Sequence, residues 1–372
     1  MIPICVPFLS GKELEYASDC IKSNWISSRG KYVEKFEQSF AKYCGCKYGV
    51  ASTSGTTAIH LALASIGLKK GDEVIVPAFT MIASVLPIIY CGATPVLVDS
   101  EPETWNIDVD QIETKVTDRT KAILPVHIYG HPVDMGPILK LADEYGLYVV
   151  EDAAEAHGAE YYGKRAGGLG SMGCFSFYAN KIITCGEGGM VVTSDNQIAD
   201  DLRSLHDLCF PKGERVYRHS KVGYNYRMTN IQAAIGLAQF EQIEKLVEMR
   251  RNNARSYNER LSEVAGLTLP IEKKWAKNVY WMYSLLIADE FGVSRNKLIE
   301  LLAAKKIETR PFFTPMNKQP VFRDMGLFIN EDYPIAESLS ENGLNLPSSS
   351  GLSPQEIEYV CNALRDAKCN SN

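Results

Sequence analysis

From about residue 50 to residue 193 the chain alternates short, β-branched apolar runs with segments of helical period. "DEVIVPA" (72–78), "TPVLVDS" (94–100), "KAILPVHIYG" (121–130) and "LYVVEDAA" (147–154) read as strands bounded by turn residues. "GTTAIHLALASIG" (55–67) reads as a buried helix. "DMGPILKLADEYG" (134–146) sets Ile138, Leu139 and Leu141 on an amphipathic pattern. Strands joined by helices lie parallel, and the connecting helices cover both faces of the sheet. "GCFSFYA" and "GGMVVTSD" predict two further strands with a lysine, Lys181, in the loop between them. The fold class this alternation predicts is α/β with a mainly parallel sheet.

The remainder has a different rhythm. A long helical stretch starts near Asn230, "VYWMYSLLIAD" (279–289) reads as a strand, and "SRNKLIELLAAKK" (294–306) reads as a helix. A last helix starts at Ser353, where a serine cap, Pro354 and Glu356 form a helix-start signature. We expect a large α/β domain over residues 1–240 and a smaller α+β domain over 241–372. The first ~20 residues can pack on either one.

Bulk composition narrows the function. A net charge of -6 offers no footprint for nucleic acid or an anionic membrane surface. The longest nearly apolar run, Met81 to Cys91, is too short for a bilayer and contains Pro87. The first residues have neither a basic region nor a sustained apolar one, so no signal peptide is expected and the expected location is cytoplasmic. Ten cysteines are scattered without zinc spacing, so reduced thiols and no metal are expected.

Four places carry candidate chemistry. Gly168 to Gly173 matches GxGxxG, but it precedes a strand where a dinucleotide fingerprint would follow one. "STSGTTA" (52–58) puts small hydroxyl residues at a helix start, which suits either a phosphate or an ordinary cap. Glu151 and Asp152 close a parallel strand where open α/β sheets bind ligands. There an acid can hold a metal, pair with a protonated heterocyclic nitrogen, or cap the next helix. Lys181 follows "GCFSFYA" and precedes "CGEGG"; it is either a surface lysine in a hairpin or a reactive amine. Together, an anion cradle, a strand-end acid and a lysine meet the needs of pyridoxal 5′-phosphate: a phosphate site, a partner for the ring nitrogen and an amine for the aldehyde.

"EDAAEAHGA", "GCFSFYANKIITCGEGGMVVTSD" and "VGYNYRMTNIQAAIGLAQFEQIE" resemble the sugar aminotransferases of the DegT/DnrJ/EryC1/StrS family. "NWISSRGKYVEKFEQSFAKYCG" and "EPETWNID" extend the likeness over nearly the whole chain. The resemblance implies a fold-type-I, aspartate-aminotransferase-like subunit with a three-layer domain, working as a homodimer with a shared active site. It implies that Lys181 holds the cofactor's aldehyde, Asp152 pairs with the pyridine nitrogen, and Glu155 lies by the phenolic oxygen where many relatives have glutamine. Ser54, Gly55, Thr56 and Ser176 would hold the phosphate, and Asn225 would reach it from the partner subunit. Met81 stands where relatives often stack an aromatic ring on the cofactor; a thioether can pack there.

The implied reaction transfers the amino group of L-glutamate, which leaves as 2-oxoglutarate, to C4 of a nucleotide-linked 4-keto-6-deoxyhexose. Pyridoxamine 5′-phosphate is the amino-carrying form of the cofactor. The product is perosamine-type or its gluco epimer viosamine. A C3 aminotransferase, a sugar dehydratase and a non-catalytic cofactor-binding regulator are the alternatives. Dehydratase relatives carry histidine where this chain has Lys181, so lysine favours transamination. "HDLCFPKGERVYRHSKVGYNYRM" and "RPFFTPMNKQP", with Thr314 and Asn317, are expected to line the sugar-nucleotide site, and the nucleotide stays open among GDP, UDP and dTDP. Arg227 and Arg310 could meet the diphosphate, since guanidinium matches phosphate geometry, or could form structural ion pairs.

Overall fold

The structure, a computed structural model, describes residues 1–211, 216–219 and 221–369. The first half of the chain supplies β1 (Tyr48–Ser52), β2 (Glu73–Pro77), β3 (Thr94–Val98), β4 (Thr120–Ile123), β5 (Tyr148–Asp152), the short β6 (Glu160–Tyr161) and β7 (Lys164–Arg165), β8 (Met172–Ser176) and β9 (Gly189–Thr193). Seven of them form one sheet in the order β1-β9-β8-β5-β4-β2-β3. From β3 to β8 neighbours run parallel; β9 is antiparallel to both β8 and β1. Regular pairing of β4 ends at Ile123, well before the expected end at 130, because Pro125 has no N–H to give.

Alternation along each strand builds two cores. After α1 (Glu13–Lys22), α2 (Lys31–Tyr43) and α3 (Gly55–Ser65) cover the side that Val74, Val76 and Val150 face, with Phe36, Phe40, Leu61 and Leu63 buried. Ile75, Ile123 and Val149 face the other side, against Met135, Ile138 and Ala142 of the helix Met135–Tyr145. Sheets buried on both faces need continuous apolar strands, which explains why these runs were so visible.

The second half adds β10 (Leu267–Thr268), β11 (Ala276–Lys277), β12 (Tyr283–Ile287), β13 (Arg310–Pro311) and β14 (Gly343–Leu346). Four of these make an antiparallel sheet, β10-β12-β14-β13, while β11 joins the β6–β7 hairpin. The expected long helix is two, Asn230–Phe240 and Ile243–Leu261, the first opened by a Thr229–Gln232 capping box. Tyr257, Tyr283, Leu298, Leu302, Val360 and Leu364 form a separate core. Met316, Phe322, Tyr333 and Leu339 instead belong to the large core. We propose a domain division near residue 240, with residues 312–339 folding back onto the larger unit. The N-terminal strand segment bridges Ile307 through Ile2, and Ile4 accepts from the amide of Ser348. No helix among the described residues is long and apolar enough to cross a membrane.

Candidate active site

The carboxyl end of β5 presents two acids with opposite surroundings. Asp152 is 5 % exposed. Its Oδ2 accepts from the Ser84 hydroxyl at 2.7 Å, and its Oδ1 accepts from the Ala154 N–H at 3.1 Å. Ser84 lies 2.7 Å from Thr80 Oγ1. Burial raises the Asp152 carboxyl, and those hydrogen bonds and Lys181 oppose the shift. Glu151 is fully buried and serves another purpose. It accepts the N–H groups of Gly167, Leu169 and Gly170 at 2.6–2.7 Å and faces His127 Nε2 at 3.0 Å. The GxGxxG stretch therefore begins as a cradle for a carboxylate of its own chain. Val133 N–H donates to His127 Nδ1, so the proton of that ring sits on Nε2 and points at Glu151.

Glu155 lies one turn beyond Asp152. Its Oε2 accepts the Tyr129 N–H at 2.8 Å, and its Oε1 stands 3.8 Å from Lys181 Nζ. Burial pushes the Glu155 carboxyl up to about 7, against the pull of the Lys181 charge. The Lys181 side chain is 10 % exposed. Burial lowers its pKa, opposed by Glu155 and Asp152. Its Nζ also lies 3.7 Å from the centroid of the Trp281 ring. The loop that holds it is pinned: Lys181 N–H donates to Tyr178 O, and Thr184 Oγ1 bridges Phe177 O and Gly186 N–H. Gly186 turns the chain at φ +85, a conformation that disfavours side chains.

The helix start expected to cradle an anion lies where α3 meets the end of β8. Ser54 caps α3 by accepting the Thr57 N–H, while Thr57 Oγ1 accepts the Ser54 N–H at 2.9 Å. The first-turn amides of Gly55 and Thr56 have no intrahelical acceptor and carry the positive end of the helix dipole. A Cβ at Gly55 would lie 2.7 Å from Ser176 Cβ, so the absent side chain lets Ser176 at the end of β8 approach the helix start. A helix start with free amides, a buried acid and a buried amine are the donor set that pyridoxal 5′-phosphate requires, and these residues fit it.

Other candidates lie elsewhere. Met81 is 46 % exposed, its sulfur accepting the Ala83 N–H. Asn225 is exposed, between Tyr224 and Tyr226, whose stacked rings pack on His60 of α3. Arg227 is ion-paired with Asp207 and Arg310 with Glu308, so each guanidinium already has a carboxylate of its own chain. Asn317 is buried and donates to Glu331 O and Glu337, whereas Thr314 is exposed. Asn317 thereby pins an internal turn. In the "HDLCFPKGERVYRHSKVGYNYRM" segment, residues 212–215 and 220 lie outside the described residues.

Sequence reasoning missed Trp281, Tyr129 and Ser84. Each sits in an apolar or aromatic run, where nothing in the spacing sets it apart from core. Tyr129 holds φ 52 and stacks between Trp281 and Phe313.

Comparison with known proteins agrees with this geometry. GDP-perosamine synthase of Caulobacter vibrioides is 45 % identical over 364 residues, covering 98 % of this chain and 97 % of that protein. The structure of DesV from S. venezuelae, solved with a ketimine intermediate, superposes with a TM-score of 0.90 at 34 % identity, covering 96 % and 94 % of the two chains. The PLP-form structure of Spr1654 from Streptococcus pneumoniae gives a TM-score of 0.92 at 26 % identity, covering 100 % and 99 %. The DegT/DnrJ/EryC1/StrS aminotransferase family matches residues 8–365, and this chain belongs to that family.

Proposed function

We propose that this chain is a pyridoxal-phosphate-dependent aminotransferase that moves the amino group of L-glutamate to C4 of a GDP-linked 4-keto-6-deoxyhexose, giving a perosamine-type sugar. The observation that carries the chemistry is the Lys181 amine, nearly buried and 3.8 Å from Glu155, in the same polar cluster as Asp152. The substrate assignment rests on the likeness to GDP-perosamine synthase.

Bound here, pyridoxal 5′-phosphate supplies an aldehyde that carries nitrogen and a ring that takes up electrons. Lys181 would hold the aldehyde carbon. Asp152 would face the ring nitrogen, with Ser84 and Ala154 fixing the carboxylate. Glu155 would lie by the phenolic oxygen, and Met81 would pack on the ring. Ser54, Gly55, Thr56 and Ser176 would take the phosphate, joined by Asn225 of a second subunit. Lys181 is the proton carrier. It takes the proton from the α-carbon of L-glutamate and, in the second half-reaction, delivers one to C4 of the sugar. A lowered pKa suits that work, because only the neutral amine can accept a proton.

Purified chain loaded with the cofactor should be yellow, lose its visible band on addition of glutamate, and yield a Lys181 adduct when borohydride is added first. A panel of GDP-, UDP- and dTDP-linked 4-keto and 3-keto sugars, read by mass spectrometry, then names the acceptor. GDP-4-keto-6-deoxymannose should gain nitrogen. Absence of the band overturns the cofactor assignment, and amination of a 3-keto sugar alone overturns the C4 assignment.

A further inference from the structure

Lys181 does not simply point into a pocket. Its Nζ rests on the face of Trp281, 3.7 Å from the ring centroid, with Glu155 Oε1 3.8 Å away. Both walls hang from one residue. Tyr129 O accepts the Trp281 N–H at 2.9 Å, and Tyr129 N–H donates to Glu155 Oε2 at 2.8 Å. The left-handed backbone of Tyr129, φ 52, is what lets one residue hold both, and its ring stacks at 21° to the Trp281 ring. Trp281 is also fixed to the lysine loop itself, since its Nε1–H donates to Asn180 O at 2.8 Å. The ring and the lysine therefore share a frame.

A buried ammonium is costly unless something replaces its hydration. An indole face is the strongest aromatic partner for a cation, and a carboxylate at ion-pair distance adds to it. We propose that Trp281 and Glu155 form a docking cage for the amine of Lys181 whenever it is not bonded to the cofactor, with Trp281 as its positioning residue. The proposal rests on the reading of Lys181 as the group that holds the cofactor. The cage keeps the released amine within reach and favours its charged form, balancing the burial that favours the neutral one. The other titratable groups that act on Lys181 are Asp152 and the Cys5 thiol, and His157, itself pushed down to about 3 by burial, feels its charge.

The test uses the full chain freed of cofactor and mixed with pyridoxal 5′-phosphate over a range of pH. Capture consumes the neutral amine, so the pH of half-maximal capture rate follows the loss of the Lys181 proton. Because the cage favours the cation, removing it lowers the pKa and moves that midpoint to lower pH. Trp281→Leu should lower it by about half to one pH unit. Glu155→Gln should move it in the same direction, and Trp281→Phe, which keeps a ring face, should hold the midpoint close to the native one. Trp281 is only 5 % exposed, so Leu can damage the fold. Fluorinated tryptophan avoids that by draining the ring face at constant shape. The midpoint should fall stepwise with fluorine content in the native sequence and stay still in the Trp281→Phe chain. A borohydride-trapped adduct at Lys181 with midpoints unmoved by Leu or fluorine overturns the cage and leaves the role of Lys181 standing. An adduct on another residue, or none, overturns the role of Lys181 and the cage with it.

Discussion

Glu151 and Asp152 are adjacent acids on one strand, and the pleat sends them to different tasks. Asp152 keeps one hydroxyl and one amide as partners and stays beside Lys181, so its carboxylate remains available to a ligand. Glu151 is saturated: three amides of residues 167–170 and the His127 ring converge on it. Its work is structural, tying that loop and the 127–133 turn to the strand end that carries Asp152. Glu151→Ala would strand four donors, of which the Gly167 amide and the His127 ring are buried, each costing about 1 kcal/mol or more when unpaired. The variant should lose about 3–5 kcal/mol of stability in urea unfolding of the cofactor-free chain, where ligand binding cannot mask the loss. A change under 1 kcal/mol would mean that water replaces the carboxylate without cost. The sequence marked both acids as candidates because position alone is visible in it. Which acid is free and which is spent depends on a loop that meets the strand only after folding.

At the scale of elements, the site is the junction of a helix start with strand ends. Gly55 opens α3 against Ser176, and the clearance exists because neither backbone carries more than it must. A methyl group there meets Ser176 Cβ at 2.7 Å, an atom that cannot swing away. Gly55→Ala should therefore shift the helix start by a few tenths of an ångström and leave the rest of α3 in place. Cofactor affinity, measured by titration of the cofactor-free chain, should fall by about tenfold or more, with unchanged far-ultraviolet circular dichroism. Unaltered affinity would remove Gly55 from the cradle. Elements of this kind were legible because burial on both faces writes itself into continuous apolar runs, and because Ser54 and Ser353 carry recognisable cap chemistry. Trp281 was not legible for the converse reason. "VYWMYS" reads as core, and it is core; the same ring that packs on Tyr129 also faces the lysine. The break between Phe240 and Ile243 also escaped notice, since both helices it separates are good helix formers.

For the whole molecule, surface composition argues for a second subunit. Leu14, Ile21, Trp25 and Ile26, on or just after the first helix, are each more than half exposed, and so are Tyr90 and Val222. We propose that these exposed apolar side chains meet a second copy of the chain. Asn225 is exposed three residues beyond Val222, and we propose that it acts outside its own subunit. If it reaches the phosphate of its partner, two defective chains should complement one another. Lys181→Ala removes the amine. Asn225→Asp sets a like charge against the phosphate, so neither homodimer should turn over well. In a hybrid, the intact Lys181 of the Asn225→Asp chain meets the intact Asn225 of the Lys181→Ala chain, and one site is whole. Co-expression in equal amounts makes about half of the dimers hybrid, so activity should return to about a quarter of the native value. Were Asn225 to serve its own subunit, every hybrid site would contain a defect and no activity would return. The same mixture run on a sizing column should elute as a dimer, and a monomeric profile would refute the shared site directly.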